Sequence, residues 1–250
     1  MLKHLSSVDL ALASELLNEG KLVAFKTETV YGLGADVRNS NAIRNIYSAK
    51  KREPRNPLIV HVNSIEMASR YCKQIDNISL KLMKIYWPGP LTFILPKINN
   101  ESVLCNLVTA DTSYVGLRCP SNEDALRLIT RFGNGIAAPS ANISGHVSST
   151  RTEHIKSDFN YTAEDMPEIY IYQTLNNYNN DKNYYCNGIE STIIKCNSDN
   201  IEVLREGSIS LDHLKNTLAI NSIMVDVFVN ERNITNSSFC RYTFDIYIKF

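Results

Sequence analysis

The chain has 250 residues, 44% of them hydrophobic, and its 26 lysines and arginines balance 26 aspartates and glutamates. That length and apolar content suffice for one well-buried α/β domain of about 200 residues with an appendage, and they exclude a disordered chain. A formal net charge of zero gives no overall pull toward the phosphate lattice of nucleic acid or an anionic membrane, so a small anionic ligand fits better than a long polyanion.

Asp9, Glu15 and Glu19 interrupt any export signal near the N-terminus, and no run approaches the roughly 18 apolar residues of a membrane span. Six cysteines, Cys72, Cys105, Cys119, Cys186, Cys196 and Cys240, are scattered without a C-x-x-C pair. They argue against a zinc ribbon or a disulfide scaffold and for reduced thiols in a cytoplasmic protein.

In chain order, Leu10, Ala13 and Leu17 with Leu12 and Leu16 mark a helix over 8–19, capped by Ser7 and stopped by Gly20. Residues 22–25 read as a strand that runs into a polar segment closed by Gly32 and Gly34. A second helix opens at Ser40, carries Ile43, Ile46 and Tyr47, and fails between Lys50 and Pro54, because the residue before proline disfavours helical geometry. Residues 58–62 form a short buried strand, 65–72 and 78–86 helices, and Trp87-Pro88-Gly89-Pro90 a stiff turn into a strand over 91–95. A strand over 115–119 precedes a capping box of Ser121 and Asp124 and a helix over 125–132 stopped by Gly133. The apolar residues from Ile136 then enter a small-residue loop, 173–187 reads as an exposed insertion, and strands return over 191–196 and 201–205. Alternating helices and strands with closely spaced final strands predict an α/β fold with a mixed sheet. The expected organisation is a domain over 1–207 and a short appendage over 208–250, holding one helix over 210–218 and two strands.

Two segments have the composition of an anion site. Lys50-Lys51-Arg52-Glu53-Pro54-Arg55 packs four cations into six residues, and a guanidinium fork or an ammonium suits phosphate. These cations also offset a helix dipole, which is the bland reading. Their position at the entrance of a buried strand favours a ligand, with Lys50 and Arg52 expected at a surface-facing mouth. The second segment, from Pro139 to Thr150, is dense in hydroxyls and small side chains that let backbone amides approach a phosphate. It lacks the G-x-S-x-G of a serine-hydrolase elbow. Gly32-Leu33-Gly34 lacks the third glycine of a dinucleotide fingerprint, Val37 standing there, and no Walker loop is present. His4, His61, His146, His154 and His213 lack metal-ligand spacing, so no protein-bound metal is expected.

The order and wording of seven blocks go further. They are Lys26-Thr27-Glu28-Thr29-Val30-Tyr31-Gly32-Leu33; Lys50-x-Arg52 with Asn56-Pro57-Leu58-Ile59-Val60-His61; Trp87-Pro88-Gly89-Pro90-Leu91-Thr92; Val115-Gly116-Leu117-Arg118-Cys119-Pro120; Ala138-Pro139-Ser140-Ala141-Asn142-Ile143-Ser144-Gly145; Gly188-Ile189-Glu190-Ser191-Thr192-Ile193; and Leu204-Arg205-x-Gly207. Together, over about residues 8–210, they resemble the YrdC-type threonylcarbamoyl-AMP synthases.

That resemblance implies a twisted mixed α/β sheet with flanking helices around a deep electropositive cavity. It also implies a nucleotidyltransferase that joins L-threonine, bicarbonate and ATP into threonylcarbamoyl-AMP, releasing pyrophosphate, with Mg²⁺ entering on the ATP. The product would feed the tRNA threonylcarbamoyl-transferase machinery that modifies adenosine. By residue, Thr29, His61, Arg118, Ala138 and Ser191 match the threonine-binding positions. Arg52, Asn56, Tyr114, Ser140, Ser148 and Arg205 match the ATP-binding ones, and Lys50, Arg52, Ser140 and Asn142 form the catalytic set. The chain departs from the family pattern at Glu53, often proline, at Tyr114, usually a small hydroxyl residue, and after Gly207. The rival readings are an RNA-binding or ribosome-associated module of this fold, which the neutral charge disfavours, and a nucleotide-binding paralogue without turnover. The related carbamoyl-adenylate domain of hydrogenase-maturation carbamoyltransferases carries C-x-x-C zinc motifs that this chain lacks. No membrane and no stable nucleic-acid complex are expected.

Overall fold

The computed structural model describes residues 6–160, 166–173, 186–197 and 199–229. Within them the strands are β1 (Ser7–Val8), β2 (Leu22–Phe25), β3 (Gly32–Asp36), β4 (Ile59–His61), β5 (Leu91–Pro96), β6 (Tyr114–Arg118), β7 (Ile136–Ala137), β8 (Ile169–Tyr172), β9 (Thr192–Cys196), β10 (Asn200–Arg205) and β11 (Asp226–Val229). They lie in the order β1-β8-β2-β3-β7-β4-β6-β5-β9-β10-β11. Five neighbouring pairs are parallel and five antiparallel, so the sheet is mixed, as the alternating pattern predicts.

The helices are α1 (Leu10–Asn18), α2 (Ser40–Lys50), α3 (Ile65–Ala68), α4 (Asn77–Tyr86), α5 (Glu123–Phe132), α6 (Thr152–Asp158) and α7 (Leu211–Ile220). Their starts follow capping chemistry, with some reassignment. Asp9, not Ser7, caps α1 by accepting from the Leu12 amide, and Ser7 is instead part of β1. Asn122 caps α5 from one residue beyond Ser121, accepting from the amides of Asp124 and Ala125, so the expected capping box is not formed. The helix expected over 65–72 stops at Ala68. Gly133, at φ +76, ends α5 in the left-handed region where the sequence placed its stop.

β3, β1, β8 and α6 are additions to the sequence reading. β3 carries Gly32 and Gly34, residues that strands disfavour. At Gly34 the reason is close approach: a Cβ there would lie 2.7 Å from Ile136 Cγ2 and 2.8 Å from the Phe25 ring.

One large apolar cluster fills the core, from Leu22, Val23 and Phe25 of β2 through Val60, Phe93, Leu117 and Ile194 to Leu128 and Ile129 of α5. Residues 208–229, expected to form an appendage, join this cluster through Ile209, Leu214, Leu218 and Ile223, and β11 pairs in parallel with β10. Residues 230–250, and 174–185 of the expected insertion, lie outside the described residues. The five described cysteines are free thiols. Among the described residues no helix is long and apolar enough to cross a membrane.

Candidate functional site

Side chains alternate across a strand, so residues two apart share a face. In β4, Ile59 and His61 share one face, and in β6 so do Gly116 and Arg118. The parallel register sets Ile59 beside Gly116 and His61 beside Arg118. Ile94 of β5 and Ile193 of β9 join them in lining a cavity of about 450 Å³, a volume typical of small-molecule sites. Gly116 gives the cavity depth: a Cβ there would meet Ile94, Ile59 and Thr92 side chains at 3.4–3.7 Å, filling the floor. Ile94, Ile193 and Leu204, with Ile59 and Tyr114 packed on them, form a small cluster apart from the main core.

Two loops close over this floor. In the first, the Thr27 hydroxyl donates to the Val30 carbonyl at 2.6 Å, which leaves the Thr29 hydroxyl to donate to Thr27 at 2.9 Å. The second loop, from Pro139, is fastened to the first. The Ala141 amide donates to the Tyr31 carbonyl at 2.7 Å, the Tyr31 amide to the Ser149 carbonyl at 2.8 Å, and the Ser149 hydroxyl to the Ala141 carbonyl at 2.7 Å. The Asn142 side-chain amide braces the loop from within, donating to the carbonyls of Ile143 and His146 at 2.8 Å each.

Lys50 supports the loop from below. It is 1% exposed, its ammonium donates to the carbonyls of Ser140, at 2.6 Å, and Asn142, and the Ser144 amide returns a bond to its own carbonyl. The surface-facing position expected for Lys50 is therefore corrected. Its aliphatic stem crosses apolar ground while its charge is spent on carbonyls. Its neighbours in the cationic run divide differently. Lys51 and Arg55 are exposed, while Arg52 lines the cavity with its guanidinium 3.4 Å from the carbonyls of Asn56 and Pro57.

The lining brings together all five threonine-position residues, Thr29, His61, Arg118, Ala138 and Ser191, and also Arg52, Ser140, Asn142, Ser148 and Arg205. Three named residues are not part of it. Lys50 lies beneath the loop. Asn56 is buried, and its carbonyl accepts from the Tyr47 hydroxyl at 3.0 Å. Tyr114 faces Lys195, whose ammonium stands 3.9 Å from the ring centroid.

The electrostatics are mixed rather than uniformly positive, because Glu190 and Glu206 line the cavity with Arg52, Arg118 and Arg205. Glu28 pairs with Arg118 at 2.8 Å, and Glu190 pairs with Arg205 and accepts from Ser148 at 3.1 Å. Arg205 also donates to the Ser191 carbonyl and hydroxyl, at 2.8 and 3.2 Å from Nη2, and Ser191 meets Thr92 at 2.9 Å. Burial, with the Arg118 charge beside it, lowers His61 to about 3. The imidazole is neutral at physiological pH and can hydrogen-bond without adding charge. Glu28 and Glu190 are the site residues that sequence reasoning missed. The available signal was their place inside two quoted blocks, one residue from Thr29 and one from Ser191.

The Sua5/YciO/YrdC family model, described as telomere recombination, matches residues 15–207. A threonylcarbamoyl-AMP synthase of Pyrococcus abyssi is 39% identical over 210 residues, covering 83% of this chain and 56% of that protein. Its counterpart in Bacillus subtilis is 38% identical over 224 residues, covering 90% of this chain and 60% of that protein. The crystal structure of P. abyssi Sua5 complexed with L-threonine superposes with a TM-score of 0.74 at 35% identity, over 90% of this chain and 62% of that one. The chain thus spans little more than half the length of these relatives. The match over residues 15–207 and the relatives at 39 and 38% identity make one assignment: the chain belongs to the Sua5/YciO/YrdC family.

Proposed function

We propose that this chain joins L-threonine, bicarbonate and ATP into threonylcarbamoyl-AMP with release of pyrophosphate and water, as a cytoplasmic enzyme supplying tRNA modification. The observation that carries this reading is a single cavity in which Arg118, neutral His61 and the small-residue loop stand with Arg52 and Arg205. Arg118 takes the amino acid's carboxylate, and its buried setting strengthens the pairing. The amino group, its proton lost to solvent, captures bicarbonate with loss of water, or carbon dioxide with loss of a further proton, to give a carbamate. A carbamate oxygen then bonds to the α-phosphorus of ATP as the bond to the leaving pyrophosphate breaks.

Around that centre the protein supplies position and charge. Arg52 and Arg205 offer guanidinium forks to phosphate oxygens, and Ser140 and Ser148 offer hydroxyls. Lys50 and Asn142 keep the loop rigid, so that its donors need no rearrangement as charge develops. Among the described residues no three His, Cys, Asp or Glu side chains cluster as a metal cage. Mg²⁺ would enter on the triphosphate, held by phosphate oxygens and water. When bound, Mg²⁺ would neutralise phosphate charge and ease the departure of pyrophosphate. The test is a four-component assay. Pyrophosphate should appear only when ATP, Mg²⁺, L-threonine and bicarbonate are all present, and release that ignores threonine would overturn the reading.

A further inference from the structure

Two of the groups assigned above to phosphate are already bonded to a carboxylate. Glu190 Oε1 accepts from the Ser148 hydroxyl at 3.1 Å, and Oε2 pairs with Arg205 Nη1. The remaining Arg205 donors are turned to Ser191, with Nε 3.1 Å and Nη2 2.8 Å from its carbonyl. Burial pushes the Glu190 carboxyl up, but Arg205, the Ser148 bond, Lys50 and Arg52 together outweigh it and hold the group below the usual carboxylate range. Glu190 is therefore an anion, and its partners are a guanidinium and a hydroxyl, the donors that a phosphate oxygen seeks. It lies in the cavity lining and keeps 27% of its side chain exposed, so it can turn away without opening the core.

We infer that Glu190 is an internal competitor of ligand phosphate for Arg205 and Ser148, and so the residue that sets how much negative charge a ligand must carry to bind. The inference rests on the proposed function, because that reading brings a nucleotide to these donors. Two anions cannot share one guanidinium and one hydroxyl at close range without strong repulsion. A phosphate reaching Arg205 must displace the carboxylate, and a neutral nucleoside gains nothing by doing so. The role differs from positioning. A carboxylate that merely aimed Arg205 at the ligand would help phosphate bind, whereas a competitor hinders it, and the two predict opposite signs when the charge is removed.

Glu190→Gln keeps the shape and removes the charge. Titration calorimetry of the intact chain should find ATP bound on the order of tenfold more tightly by Glu190→Gln than by the unchanged protein, since a unit charge at close range is removed. Adenosine and L-threonine should be bound equally by both. If Glu190→Gln does not melt cooperatively, Glu190→Ala carries the same comparison. ATP bound by the unchanged protein but equally or more weakly by the variant overturns the inference alone. ATP bound by neither protein overturns the proposed function and this inference with it.

Discussion

His61 shows how one buried side chain makes the site sensitive to acid. Its imidazole is buried in the cavity wall, edge-on to the Phe25 ring at 5.7 Å and beside Arg118 in the parallel register of β4 and β6. Burial first and Arg118 second lower it to about 3, against 6.5 for an ordinary imidazole. Between those values the unfolded chain binds a proton that the folded chain refuses, so stability falls as pH drops through that window. From pH 7 to pH 5 this single group should cost about 2 kcal/mol. Urea unfolding at the two pH values should show the wild type losing about that much more than His61→Asn, and equal losses would mean that the imidazole accepts its proton in place. Much at this scale could be read from sequence. His61, Arg118 and Ser191 fall in the quoted blocks and reach the cavity. The burial of Lys50 was also within reach, since it follows Ile43, Ile46 and Tyr47 at seven, four and three positions and shares their face of α2. Its charge hid that pattern. The Glu28–Arg118 pair was not legible, because it joins residues ninety positions apart through a fold not yet known.

Elements are held to the site by close backbone approach, and Gly207 is the tightest case beside it. A Cβ there would lie 2.3 Å from the Glu190 carbonyl oxygen and 2.7 Å from the Ser191 carbonyl carbon, which are backbone atoms that cannot rotate away. Gly207 also donates to Thr192 Oγ1 at 3.0 Å, stitching the end of β10 to the start of β9. Gly207→Ala must therefore push these segments apart and shift Glu190, Ser191 and Arg205. The expected result is at least about 2 kcal/mol of lost stability, by analogy with overpacking, and weakened binding of both L-threonine and ATP. Gly133→Ala is the control. Nothing lies within 4 Å of its Cβ, so only the positive φ is strained, costing about 1 kcal/mol with binding unchanged. Equal binding by both variants would show that the β9–β10 junction does not set the site. The bounds of α2, α4 and α5 were legible to within a few residues, because periodicity and caps are local. β3 read as the glycine-closed end of a polar segment, since its glycines make room for Phe25 and Ile136, contacts that only the sheet creates. β8, a run of Ile169-Tyr170-Ile171-Tyr172 beyond any recognised block, acquires meaning only between β1 and β2.

For the whole molecule, the strand order could not be read from the chain, because its pairings join distant segments, such as β5 with β9 across about a hundred residues. Residues 208–229, expected as an appendage too small for a core of their own, pack onto the rest of the described fold. Ile209, Leu214, Leu218 and Ile223 are buried in the main cluster, Tyr86 of α4 donates to Thr217 of α7 at 2.8 Å, and β11 extends the sheet beside β10. Each of those four side chains contributes about 1.5–3 kcal/mol when fully buried. Their joint loss, on the order of 6 kcal/mol or more, is comparable to the entire stability of a typical domain. A chain ending at Gly207 should consequently fail to melt cooperatively and should bind neither L-threonine nor ATP, whereas the 250-residue chain should melt in one transition. Circular dichroism on the two proteins reads the difference directly. Were the chain ending at Gly207 to melt as the 250-residue chain does, residues 208–229 would be the appendage that the sequence suggested. The family match, which stops at residue 207, would then mark a true boundary of the folded unit.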